Sequence, residues 1–219
     1  MTLMHPKRRE DGSPEPIHHP SLPSPLAAWL DPAQHATVLP EGPVPAGLNG
    51  IPFTPWQDAP HSDAGWANVA GQDGDGFTEP AFVPAPGKRV AAGVVIEEAD
   101  GRVWVVHPTN GFGGYPATFP KGTQDSGVPM RATAIREAFE ECGLQVVLTG
   151  FLADVDRSRS KTRYYLGRRV GGCPAQMCWE SQAVSLVPRA QLAAALANQN
   201  DAALVALLQA APGSLRSPR

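Results

Sequence analysis

The chain has 219 residues, 42% of them apolar and 18% charged, and its 18 Lys and Arg against 21 Asp and Glu leave a formal net charge of −3. That composition suits one packed domain with a tail, and it lacks the basic surplus of a general nucleic-acid or anionic-membrane binder. Cys142, Cys173 and Cys178 form neither a C-x-x-C pair nor a disulfide framework, no apolar run approaches the ~20 residues of a membrane span, and Met1–Ser24 has no signal-peptide core, so a cytoplasmic location is expected.

Proline divides the chain: 16 of the 24 prolines lie in residues 1–90. Proline fixes φ and removes a backbone donor, so this part is not regular helix or sheet throughout. Residues 1–25 read as a disordered, dispensable tail. Residues 26–88 carry Trp29, Phe53, Trp56, Trp66, Phe77 and Phe82, and are expected as a partly ordered extension whose aromatics anchor it on a neighbouring domain at 89–211. Residues 212–219 read as a C-terminal tail.

Within that domain, Ala91–Glu97 and Arg102–Val106 read as strands joined by an Asp100-Gly101 turn. A glycine-rich loop, a short strand at Ala117–Phe119 and a second loop lead to a helix at Met130–Cys142, ended by Gly143. Strands follow at Leu144–Val155, Tyr164–Val170 and Ala183–Val187, then alanine-rich helices at Ala190–Ala197 and Ala202–Ala210. The order β-β-β-α-β-β-β-α suits an α/β fold with a mixed sheet and helices on its faces.

On the helix Met130–Cys142, a 100° step per residue gathers Glu137, Glu140 and Glu141 into an arc of about 100°, with Ile135, Ala138, Phe139 and Cys142 opposite. Like charges at this spacing each cost roughly 0.2–0.5 kcal/mol, and carboxylates near a helix C-terminus oppose the macrodipole. A hard divalent cation, Mg²⁺ or Mn²⁺, removes both penalties.

The residues Gly122, Arg136-Glu137, Glu140-Glu141 and Gly143-Leu144 give G-x13-R-E-x-x-E-E-x-G-L. This resembles the Nudix box, G-x5-E-x7-R-E-U-x-E-E-x-G-U with U bulky and apolar, and Phe119-Pro120-Lys121-Gly122 resembles the approach to it. The resemblance implies an α/β/α sandwich and a Mg²⁺-dependent pyrophosphohydrolase acting on a nucleoside diphosphate linked to another moiety. It implies Glu137, Glu140 and Glu141 as metal ligands and Glu137 also as an orienting base. Arg136 would hold the loop–helix–loop shape, and Gly122 would let the backbone approach with an open φ. Val128 stands where the box has a glutamate, so metal binding is expected to be weakened. A non-catalytic nucleotide sensor on the same fold is the rival reading. Family members often recruit one more acid from a late loop, and Glu180 is the candidate proton acceptor.

Arg157, Arg159, Lys161, Arg163, Arg168 and Arg169 crowd into 13 residues. They read either as a solvated hairpin or as a phosphate-binding rim, in which Arg157, Arg159 and Arg163 join Lys121, Gly122 and the loop aromatic Tyr115 at the substrate. Pro55-Trp56-Gln57-Asp58 resembles an N-terminal segment of some ADP-ribose pyrophosphatases. It places ADP-ribose or another nucleoside diphosphate sugar first, ahead of dinucleoside polyphosphates and diphosphoinositol polyphosphates. A small-molecule nucleotide, with no nucleic acid or membrane, is the expected partner, and a homodimer is left open.

Overall fold

The computed structural model describes residues 3–74, 76–111, 116–196 and 199–210. In chain order the elements are β1 (Leu3–Met4), β2 (Pro16–Ile17), α1 (Leu26–Trp29), β3 (Ala36–Val38), β4 (Gly47–Leu48), β5 (Ile51–Pro52), α2 (Asp63–Ala67), β6 (Arg89–Glu97), β7 (Arg102–Pro108), β8 (Lys121–Thr123), α3 (Met130–Cys142), β9 (Leu144–Asp156), β10 (Ser160–Gly172), β11 (Ser181–Pro188), α4 (Leu192–Ala195) and α5 (Gln199–Ala210). The main sheet has seven strands in the order β3-β11-β7-β6-β10-β9, with β8 added on β6. Among the described residues only β6 and β10 run parallel; the other pairs of this sheet are antiparallel.

Strand alternation divides the core into two layers. Ala92, Val94 and Ile96 of β6 and Trp104 and Val106 of β7 join Ile135, Ala138 and Cys142 of α3 on one face. Val95, Val103 and Val105 turn to the other face, where Leu192, Leu204, Val205 and Leu208 of α4 and α5 cover them. This is the expected α/β/α arrangement.

The hairpin β6–β7 turns at Gly101, whose φ of 83° lies in the left-handed region. The two strands then diverge: their ladder holds only the pair Glu97 and Val103. Residues 118–123 enter the gap. Val106 and Thr118 exchange backbone bonds of 2.9 and 3.0 Å, Val94 donates to the Pro120 carbonyl at 3.1 Å, and Lys121–Thr123 pairs with Ala91–Gly93. The strand expected at Ala117–Phe119 is therefore a single bridge at Thr118, and the true strand begins at Lys121. This wedge carries Lys121 and Gly122 to α3.

The N-terminal third differs from the sequence expectation. Residues 3–17, read as part of a disordered tail, form the β1–β2 hairpin, with His5 and Glu15 both buried. Polar side chains do here what the scarce apolar ones cannot: Asn110 donates to Glu15 at 2.7 Å and to the Pro16 carbonyl at 2.6 Å. The extension also enters the sheet, since β3 pairs with β11. At the opposite edge Leu148 donates to the Gly71 carbonyl at 2.8 Å, and a side-chain carbon at Gly74 would lie 2.4 Å from the Leu148 carbonyl oxygen.

The extension's aromatics are packed. Trp29 lies 5.8 Å from Phe53 and 5.9 Å from Trp104, while Trp56 and Trp66 lie 5.4 and 5.9 Å from Phe139 of α3. Such pairs add roughly 0.5–1.5 kcal/mol each beyond their buried area. Buried arginines tie the backbone down: Arg102 donates to Trp29 at 2.6 Å and Arg169 to Leu48 at 2.9 Å.

Candidate metal centre

Helix α3 begins after Pro129 and ends at Gly143, whose φ of 68° and close approach to the Cys173 carbonyl exclude a side chain. Within it, Glu137 and Glu141 are buried. Together with Glu180, from the loop before β11, they offer oxygens that all lie within 4.8 Å of one another. The cluster joins a helix to a loop 39 positions later in the chain. Glu140 is half-exposed, 3.7 Å from the Arg136 guanidinium.

Four local contacts hold the cluster. Arg136 donates to Glu137 at 3.0 Å and to the Thr123 carbonyl at 3.0 Å, and pairs with Asp125. The Lys121 backbone N–H donates to Glu141 at 2.9 Å. Gly122 leaves the space that the Glu137 carboxylate fills, since a side-chain carbon there would meet all three carboxyl atoms at 2.2–2.3 Å. Its role is therefore steric; its φ is not among the positive ones, contrary to the sequence expectation. Asp125 was missed by sequence reading. Its signal was an acid within the box loop, three positions before Val128.

The electrostatics follow from burying like charges. Burial and then the neighbouring Glu141 and Glu140 hold the Glu137 carboxyl well above the usual range, against the pull of Arg136. Burial pushes Glu140 and Glu141 up to about 7, opposed respectively by Arg136 and Lys121. Glu180 is raised by the protein crowding its carboxylate and by Glu10, although the residue as a whole is exposed. Burial opposes the Arg136 charge, but Asp125, Glu137 and Glu140 overcome it and keep the guanidinium ionised. An all-oxygen donor set with more negative than positive charge fits a hard divalent cation.

Val128 is not at this cluster. It is 1% exposed and belongs to the core beneath α3. The position lies among core residues, and Asp125 supplies the acid that pairs with Arg136.

The arginine run resolves mostly into internal pairs. Arg157 donates to the Tyr164 hydroxyl at 2.7 Å and pairs with buried Asp201. Arg163 grips both oxygens of Asp154 at 2.7 and 2.8 Å, and Arg169 bonds Glu98 at 2.6 Å. The guanidinium groups expected to read phosphates at 157 and 163 are therefore engaged within the fold, while Arg159 and Arg168 are exposed. Trp56 is packed against α3. Tyr115 lies outside the described residues.

A family model described as NUDIX domain matches residues 87–208, more than half of the chain. The chain belongs to the Nudix family. Similar solved structures include an ADP-ribose pyrophosphatase from Streptococcus suis (21% identity, 58% of this chain and 94% of that one, TM-score 0.47). Others are a UDP-X diphosphatase (17%, 59% and 64%, TM-score 0.47) and an Ap4A hydrolase from C. elegans (20%, 55% and 93%, TM-score 0.44). No curated protein matches the chain. No helix among the described residues is long and apolar enough to cross a membrane.

Proposed function

We propose that this Nudix protein is a Mg²⁺-dependent pyrophosphohydrolase that cleaves a nucleoside diphosphate linked to another moiety, with ADP-ribose or a related nucleoside diphosphate sugar as the first substrate class. The observation that carries the reading is the convergence of Glu137, Glu141 and Glu180 within 4.8 Å around the space left by Gly122.

Glu137, Glu141 and Glu180 would hold the cation, with Glu140 beside them. A divalent cation at such a site supplies charge neutralisation on the diphosphate oxygens and activation of water. Arg136 orients Glu137, and the Lys121 N–H orients Glu141. Glu180, on a loop and exposed, would accept the proton that the attacking water loses. The free cysteines support action in a reducing cytoplasm.

The sensor reading drew on Val128, which stands where the box has a glutamate. The clustering of Glu137, Glu141 and Glu180, with Asp125 paired to Arg136, favours the enzyme reading. A panel of nucleoside diphosphate sugars, dinucleoside polyphosphates and diphosphoinositol polyphosphates, assayed with Mg²⁺ or Mn²⁺ by phosphatase-coupled phosphate release, tests it. Turnover of a nucleoside diphosphate sugar is expected. Tight binding of one compound with no cleavage of any would establish the sensor instead.

A further inference from the structure

The N-terminal hairpin is fastened to the loop that delivers Glu180. The His5 ring, 4% exposed, reaches the Ser181 carbonyl at 3.1 Å through Nε2, while its Nδ1 accepts from the Lys7 N–H at 3.0 Å. Nε2 donates to the Ser181 carbonyl when it carries a proton, and Nδ1 also lies 3.2 Å from the Lys7 carbonyl oxygen. Lys7 donates through its ammonium to the Gln176 carbonyl. The Arg9 guanidinium lies 5.5 Å from the centre of the Trp179 ring and pairs with Glu15. The hairpin thus touches residues 176, 179 and 181, flanking Glu180 on both sides in sequence. From the other side Thr109 fixes the same loop, its N–H donating to the Glu180 carbonyl at 2.7 Å and its hydroxyl to the Trp179 carbonyl at 2.7 Å. Glu10, at the tip of the hairpin, adds negative charge beside Glu140 and Glu180.

We propose that the hairpin Leu3–Ile17 is a working wall of the cation site, in which His5 and Arg9 are positioning residues that set Glu180 against Glu137 and Glu141. This rests on the reading of those three carboxylates as a cation site. A loop glutamate gains affinity for a cation when its backbone is fixed before binding, because less ordering remains to be done on binding. The N-terminal segment, outside the matched family region, would then tune how tightly this member holds its cation.

The test is Mn²⁺ binding to the full-length protein without substrate, followed by the electron paramagnetic resonance of free Mn²⁺. His5→Ala is expected to raise the dissociation constant about 10-fold, as loss of an outer-shell support does. His5→Gln, which keeps an amide donor toward Ser181, is expected to stay close to the parent. Arg9→Ala alters an exposed residue and is expected to weaken binding in the same direction; it decides the matter if His5→Ala does not fold. A purely structural hairpin would lower the melting temperature and leave the constant alone, and parent-like Mn²⁺ affinity in the folded variants would overturn the proposal. Glu180→Gln and Glu141→Gln separate the two levels. If only Glu141→Gln weakens binding, the cation site stands and the role of the hairpin falls. If neither does, the cation site falls, and the proposal with it.

Discussion

A side-chain carbon at Gly122 would lie 2.2 Å from Oε1 of Glu137; the loop glycine and the helix glutamate compete for one volume. The obstructing atoms are the far end of a flexible side chain, so the fold can yield by moving the carboxylate. Gly122→Ala is therefore expected to keep its melting temperature close to the parent while turnover falls by about 10²-fold, the scale of a misplaced reacting group. Parallel thermal unfolding and steady-state rates check this. A variant that loses stability instead of rate would show that the glycine serves the backbone.

Glu141 receives the Lys121 N–H and sits within the carboxylate cluster. Glu141→Gln keeps its shape and can still accept that bond, but it loses the anionic oxygen. Turnover is expected to fall by at least ~10²-fold with the circular dichroism spectrum unchanged. Near-normal turnover at saturating Mg²⁺ would remove Glu141 from the site.

Val128 is buried in the core, so Val128→Glu places a carboxylate among apolar side chains. The expected result is a loss of roughly 3 kcal/mol or more of stability, read by urea unfolding, with no gain in Mg²⁺ affinity. A variant of parent stability that needs less Mg²⁺ would return this position to the cation site.

The raised carboxyls carry a pH signature. In the metal-free protein Glu141 ionises at about 7, against an ordinary value of 4.5. A carboxyl whose folded value is raised favours the folded state fully below the unfolded value, and that contribution is lost as pH climbs through the folded one. Without divalent cation, the melting temperature should therefore fall as pH rises from about 5 to 8. Mg²⁺ or Mn²⁺, which binds the ionised form, should raise the melting temperature much more at pH 8 than at pH 5. Unfolding scans in chelator and in excess Mg²⁺ at the two pH values read both effects. Equal stabilisation by metal at both would contradict the carboxylate site.

The helix α3 was legible to the residue because its signals are local: a 3.6-residue stripe, a proline at its start and a glycine at its end. Glu137, Glu141 and Arg136 came with it. Glu180 could be suspected only from the resemblance, since its closeness to Glu137 depends on how β11 pairs with β7. That Asp125 pairs with Arg136 while Val128 is buried could not be read in advance, because the loop between β8 and α3 has no periodicity to show which side chain turns inward. The hairpin Leu3–Ile17 was invisible for a different reason. It is held by His5, Asn110 and Arg9, whose partners lie more than 90 residues away or in the hairpin itself, whereas composition reports only that apolar anchors are few.

The unpaired rims of a β-sheet are templates on which another chain can add a strand. In this protein one stretch of chain guards both rims: β3 covers β11 with a three-residue outermost strand whose Thr37 carbonyl accepts from the Ser24 N–H, and the turn containing Gly71 and Gly74 lies across β9 with almost no clearance. The proline-rich extension thus leaves little free strand edge among the described residues. A cut between residues 38 and 71 would sever one guard from the other without touching a catalytic group, and slow clumping of the protein would follow before any loss of chemistry.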